Sequence, residues 1–282
     1  MTKSRIAYST DLSDMEYARI APLFEKTGQR GAPRRISYRE ILNAIFYVVK
    51  SGCGWRELPH DFPKWKTIYH YFRQFRRQKL WQQINQQVHG EVRQQEGREE
   101  HASAMILDCQ TARSAEGGEM IGFDGGKKIS GRKRILLTDT LGFVVLVKVT
   151  AASVQDVHAG KKLLMDLQQH PSLRQRLKTI FADGGFRGEL VLWTKEVLGV
   201  DLEIVLKKEG QKGFQVLPKR WVIERTNAWL TRHRRLARDY ERLTASSEAF
   251  IYAALIRLGL RRLSHLSNSQ TASKGLACLR GC

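Results

Sequence analysis

The chain of 282 residues carries 48 lysines and arginines against 28 acidic residues, a formal charge of +20 at neutral pH. An apolar content of 42% supports a sizeable core and excludes general disorder, and no apolar run reaches the roughly 18 residues that a spanning helix needs. The charge excess favours a polyanionic partner, and no basic amphipathic anchor or lipidation signal directs it to a membrane surface.

The opening Met1-Thr2-Lys3-Ser4-Arg5 leads into no signal-peptide core. Cys53, Cys109, Cys278 and Cys282 show no Cys-x-x-Cys spacing and are expected as reduced cytosolic thiols. The histidines form no zinc pattern.

Residues 1–82 read as a helical domain. Ser13-Asp14-Met15-Glu16 and Ser37-Tyr38-Arg39-Glu40 fit capping boxes. The second precedes Ile41, Leu42, Ile45, Val48 and Val49 at helical spacing. Thr27–Pro33 is a loop by its Gly and Pro content, and Ser51-Gly52-Cys53-Gly54 stops the second helix. A basic aromatic helix is expected from Lys66 to Trp81, with Ile68, Phe72 and Phe75 on its core face. Lys66, Arg73, Arg76 and Arg77 fall on another face, and no acid between Lys64 and Trp81 balances them. Helix, turn and basic helix in that order suggest a helix-turn-helix-like DNA reader contacting phosphate. The polar stretch 83–102 reads as a linker helix.

Strand patterns begin near residue 103. One apolar run ends at Asp108, and a second, Thr179–Asp183, precedes Gly184-Gly185. A Gly-rich basic loop is expected over 125–134, its Lys127, Lys128, Arg132, Lys133 and Arg134 suited to a phosphate clamp. Ile135–Asp139 and Phe143–Val149 read as a hairpin about Gly142. Helices are expected near 157–169, 189–198 and 247–262, with a strand over 201–206 and a frayed tail over 264–282. Pro218 is placed to open a helix carrying Glu224, with Val222, Trp229 and Leu236 as its buried stripe. Arg220, one turn before Glu224, can orient it, grip DNA phosphate or do neither, and Arg225 is a further candidate DNA contact. The element order argues for a mixed α/β sheet with covering helices.

Asp108, Asp183 and Glu224 supply hard oxygen ligands of the kind that Mg²⁺ takes, and two such ions can grip the attacking and leaving oxygens of a phosphodiester. If the two aspartate strands are neighbours, their carboxylates meet at one end of the sheet. Asp139, beside a turn, and Asp156, in a helix N-cap region, are left as structural.

Four segments, in order, resemble the DDE transposases of bacterial insertion sequences, specifically insertion-sequence family five. They are Ile41–Tyr47 with Gly54–Pro59 and Asp61–Pro63; Leu107–Thr111 with Gly126–Lys128 and Gly131–Arg134; Ala182–Gly188; and Pro218–Thr226 through Arg234–Glu241. The resemblance covers nearly the whole chain. It implies a ribonuclease-H-like catalytic domain over 103–263, with Asp108 and Asp183 on adjacent strands and Glu224 on a later helix. It further implies two Mg²⁺ ions, replaceable by Mn²⁺, held by these three acids. The implied activity is binding of the element's terminal inverted repeats, cleavage at its ends and strand transfer into target double-stranded DNA. A homodimer or higher assembly would join two ends, at the nucleoid in a bacterial cytoplasm. Arg220 matches a signature that related families carry around the glutamate, whereas Leu217 and Thr231 stand where it has Tyr and Lys. A nuclease that cuts without rejoining and an inactive DNA-binding repressor are the alternatives.

Overall fold

The computed structural model describes residues 5–25, 36–115, 117–206 and 220–278, without the side chains of Arg220 and of residues beyond 266. The expected Thr27–Pro33 loop, Leu217, Pro218 and the C-terminal cysteines' side chains lie outside the described residues. The chain divides into two compact units, residues 1–100 with 253–282, and residues 101–252.

The first unit holds α1 (Asp14–Ile20), α2 (Pro22–Glu25), α3 (Tyr38–Ser51), α4 (Trp65–Arg77) and α5 (Leu80–Gln95). Ser13 Oγ accepts from the Glu16 amide and Glu16 returns a carboxylate to the Ser13 amide, so the capping box of α1 is complete. At α3 only half of the second box forms. Ser37 accepts from the Glu40 amide, while the Glu40 carboxylate turns to Arg5. α3 ends on Gly52 in the left-handed region (φ 76°). Ile41, Leu42, Ile45, Val48 and Val49 of α3 and Ile68, Phe72 and Phe75 of α4 are buried, as their spacing requires. The stretch 83–102, read as a linker helix, is helical as far as Gln95. Trp81, Ile84, Val88 and Val92 of α5 are fully buried at helical spacing, a stripe that its many glutamines obscure.

The second unit holds β1 (Ala104–Arg113), β2 (Gly122–Asp124), β3 (Ile129–Asp139), β4 (Val144–Ala151), α6 (Asp156–Gln168), α7 (Pro171–Arg174), β5 (Thr179–Ala182), α8 (Glu189–Trp193), β6 (Asp201–Ile204), α9 (Arg220–Thr231) and the start of α10 (Thr244–Cys278). The sheet is mixed, in the order β2-β3-β1-β5-β6, with β4 also on β3. β1 runs antiparallel to β3 and parallel to β5, and β5 is parallel to β6. Leu163, Leu164 and Leu167 of α6 pack with Met105, Leu107, Leu137 and Ile180 in the core. From Ala253 onward α10 belongs with the first unit, where Arg257 donates to Glu16 Oε1 (2.8 Å) and to the carbonyls of Thr10 and Asp11. Its start and reach therefore differ from the expected 247–262 helix. No helix among the described residues is long and apolar enough to cross a membrane.

The expected basic loop is half strand. β3 starts at Ile129, so Arg132, Lys133 and Arg134 are strand residues and all are buried. Alternation sends Arg132 and Arg134 to one face and Lys133 to the other. Arg132 pairs with Asp239 (2.9 Å), and Lys133 pairs with Asp156 (2.5 Å). A Cβ at Gly131 would sit 2.0 Å from the Ala112 carbonyl, so only glycine allows the strands to approach there.

The outer edge of β4 is covered by α10. The Val147 amide donates to the Tyr252 hydroxyl (3.2 Å) and the Val149 amide to Glu248 Oε1 (3.0 Å). Burial pushes the Glu248 carboxyl up to about 7, against the opposing Val149 amide and Lys148, with Asp166 and Glu119 adding to the rise. A carboxyl whose folded pKa is raised gives its full stability below the unfolded value of 4.5 and loses it as pH rises through about 7. Glu248→Gln keeps the acceptor and removes the charge. Urea denaturation at pH 8 should show a gain of up to about 3 kcal/mol that disappears at pH 4; a gain equal at both pH values would contradict this origin.

Candidate active site

Parallel pairing of β1 with β5 ends in the register Leu107 to Ala182. The next residue on each side is an aspartate, so Asp108, midway along β1, and Asp183, just past the end of β5, stand side by side. Asp183 caps the short 3-10 turn Gly184–Phe186, its Oδ1 accepting from the Gly185 amide at 2.9 Å. The glycine serves close approach: a Cβ at Gly185 would lie 3.0 Å from Asp183 Oδ1 and 3.1 Å from Asp156 Oδ2.

Burial, and then the charge of Asp183, push the Asp108 carboxyl up to about 6, while the Cys109 amide, Asn227 and Lys127 oppose the rise. Lys127 Nζ reaches the Cys109 carbonyl at 3.5 Å, so one basic residue of the expected clamp stands beside Asp108. The Cys109 thiol is pushed well up by burial and by the charges of Asp156 and Asp108. It stays protonated and is no nucleophile.

Leu107 and Asp108 point to opposite faces of β1. Leu107 packs in the core with α6, whereas Asp108 Oδ2 accepts from Asn227 Nδ2 of α9 at 3.4 Å. The other amide atom, Asn227 Oδ1, is buried without a partner. Glu224 lies one turn earlier on α9 and is exposed. Among the described residues no three His, Cys, Asp or Glu side chains converge closely enough to hold one ion. The structure thus brings Asp108 and Asp183 together and leaves Glu224 outside that pair.

The turn between β3 and β4 holds α9 in place. Thr226 Oγ1 donates to the Gly142 carbonyl (2.6 Å) and Arg225 Nη2 to the Leu141 carbonyl (2.9 Å). Gly142 has φ 84°, and a Cβ there would meet Thr226, Trp229 and Arg225 within 3.3 Å. The Arg225 guanidinium lies between the Trp221 and Trp229 rings, 4.6 and 4.9 Å from their centroids. Arg225 therefore helps to position the helix, beside the DNA contact expected of it. The expected heptad stripe also breaks, because α9 ends at Thr231 and Leu236 is buried from the following 3-10 turn.

Of the other basic candidates, Lys66, Arg73, Arg77, Lys127 and Lys128 are exposed and Arg76 is half-buried. Arg56 and Lys66 flank the Trp65 ring and Arg73 lies over Tyr69, giving the α4 surface aromatic as well as basic character. Arg132 is enclosed in internal bonds and Arg134 is buried with its Nε unpartnered, so neither is a surface residue. The Arg220 side chain lies outside the described residues. Asn227 was not anticipated, although its place three residues after Glu224 puts both on neighbouring helix positions.

A family model described as "Putative transposase of IS4/5 family" matches residues 12–85, and one described as "Transposase DDE domain" matches residues 99–258. A relative from Burkholderia cepacia, "Putative transposase for insertion sequence element IS402", is 31% identical over 135 residues. The match covers 46% of this chain and 60% of that protein, so the chain spans less than two thirds of the relative's length. No solved structure matches. With paired aspartates side by side and a DDE-domain match over more than half of its residues, the chain belongs to the DDE-domain transposases of insertion sequences.

Proposed function

We propose that this protein is a transposase that binds the terminal inverted repeats of its insertion sequence, cuts DNA there and joins the ends to target DNA. The observation that carries this reading is the pair Asp108–Asp183, two carboxylates set together by strand register with the first raised to about 6. Such a pair calls for a cation. Mg²⁺ takes one or two carboxylates and keeps waters, so the two aspartates fit it, and Mn²⁺ can replace it. When bound, the metal supplies Lewis acidity to the phosphoryl oxygens and lowers the pKa of the attacking water or 3′-hydroxyl.

The chain's own residues do the positioning. The Gly185 amide fixes Asp183, the Asn227 amide holds one Asp108 oxygen, and Lys127 offsets part of the negative charge beside it. Glu224 is assigned to a second ion from its place on α9 and the family resemblance. The antiparallel set β4-β3-β1, extended by parallel β5 and β6 with α6 and α9 on opposite faces of β1, supports a ribonuclease-H-like reading of residues 101–252. Exposed Lys127 and Lys128 would meet backbone phosphate. Lys66, Arg73 and Arg77 on α4 would meet the inverted repeats, with a homodimer or larger assembly joining two ends.

The test is a labelled duplex carrying an end of the element, incubated with the full chain and Mg²⁺. Cleavage and joined products are expected. Ca²⁺ should support binding with little chemistry, since its larger, looser shell misplaces the reacting oxygens. Cleavage without joined product would make the protein a nuclease, and binding without either would make it a repressor.

A further inference from the structure

Beyond Asp108, the same strand leads to a cleft of about 330 Å³ lined by Gln110, Arg113, Arg134, Thr231 and Arg238, among others, and by no carboxylate. Gln110 lies opposite Arg134 in the β1–β3 register, so both share the face of Asp108. Gln110 and Arg113 lie two and five residues past Asp108, about 7 to 17 Å along an extended strand. That is the scale of one to two nucleotides.

Arg134 is 1% exposed, yet it has no carboxylate of its own among the described residues. Its Nη1 and Nη2 donate to the carbonyls of Leu236 (2.8 Å) and Arg238 (3.3 Å), while its Nε is buried without a partner. Asp239, the nearby acid, is already bound by Arg132 and by the Ser247 hydroxyl. A buried guanidinium without its own counter-charge is costly. Here it forms the floor of an open cleft whose rim holds two exposed guanidiniums, Arg113 and Arg238. Burial holds the Arg134 pKa below its ordinary value, with Asp239 raising it and Arg132 lowering it further. An anion in the cleft would reverse that penalty.

We infer that this cleft is a subsite for a backbone phosphodiester of the DNA strand being cut, one or two nucleotides from the scissile bond. The exposed guanidinium forks of Arg113 and Arg238 match phosphate oxygens, with Arg134 adding charge from below, and a site without base-reading acceptors in excess recognises backbone rather than sequence. The subsite rests on the DNA reading above and adds to it where the strand lies. It fixes the substrate's direction along β1, from the aspartate pair toward Arg113.

The test uses the full chain and duplexes with a single neutral methylphosphonate placed in turn at each position around the cut. Arg134 itself is unsuitable for the first substitution because its loss can unfold the sheet, so the exposed pair Arg113→Gln and Arg238→Gln is changed together. The wild type should bind the duplex about tenfold more weakly when one or two positions flanking the cut are neutral. The double variant should bind the unmodified duplex more weakly by a similar factor and show no further loss at those positions. Its log–log salt slope should be shallower by about 0.9 for each phosphate that it no longer neutralises. A double variant as sensitive as the wild type at every position overturns the subsite. A wild type that binds no duplex at all overturns the DNA reading, and the subsite with it.

Discussion

Asp108→Asn should lower Mg²⁺-dependent cleavage by roughly a thousandfold while making the metal-free protein more stable. Both effects come from one arrangement. The carboxylate sits half-buried beside Asp183, which raises it from 3.8 to about 6. A carboxyl raised in the folded state contributes fully below the unfolded pKa, and that contribution is lost as pH rises through the folded one. Above pH 6 the ionised Asp108 is therefore a cost to the metal-free fold, at most about 3 kcal/mol. Asparagine keeps the volume and can still meet the Asn227 amide, but it gives up one hard, charged ligand. Thermal denaturation in EDTA at pH 8 should show a higher midpoint for the variant, with the difference vanishing near pH 4. Mg²⁺ should stabilise the wild type and leave the variant unmoved. Cleavage within tenfold of wild type, or a variant stabilised by Mg²⁺ as much as the wild type, would remove Asp108 from the metal site.

That pairing was legible in the sequence because each aspartate closes a short apolar run, although β1 continues past Asp108 to Arg113 and only β5 ends beside its aspartate. The helix starts at Ser13 and Ser37 were legible for a similar reason, since caps act over three or four residues. Features that depend on distant partners were not. Gly125–Arg134 has the glycines and charges of a solvated loop, and the segment 236–242, about a hundred residues later, supplies the carboxylate and, beside the Glu119 carbonyl, the carbonyls that draw Arg132 and Arg134 inward. Arg225 reads as a candidate DNA contact, and its bond to the β3–β4 turn and its place beside two tryptophans show only in the fold. The stripe of α5 was hidden by composition rather than distance, because four apolar positions suffice to bury a helix whose other faces are glutamine. The division of the chain was hidden too, since Arg257 returns the C-terminal residues to α1 and to no neighbour in sequence.

The Arg132–Asp239 pair gives the largest expected effect on stability. Both side chains are fully buried, at 2.9 Å. Arg132 also donates to the carbonyls of Glu119, Glu241 and Arg242, and Asp239 accepts from the Ser247 hydroxyl and the Glu241 amide (3.1 Å). The Asp239 backbone bonds Arg113 and Ala115, so the pair ties residues 234–242 to the ends of β1 and β3. Asp239→Ala leaves a guanidinium in the core with carbonyls but no counter-charge, a change worth about 3–5 kcal/mol. Urea unfolding followed by circular dichroism should show that loss. Lys127→Ser with Lys128→Ser should instead stay within about 0.5 kcal/mol, since both side chains are exposed. Replacing Arg132 by Met and Asp239 by Leu together should recover part of the loss, because it removes the stranded charge. The recovery should be incomplete, since the carbonyls of Glu119, Glu241 and Arg242 then lack their donor. A loss under 1 kcal/mol for Asp239→Ala would mean that water reaches Arg132, returning it to the surface basic residues that can touch DNA.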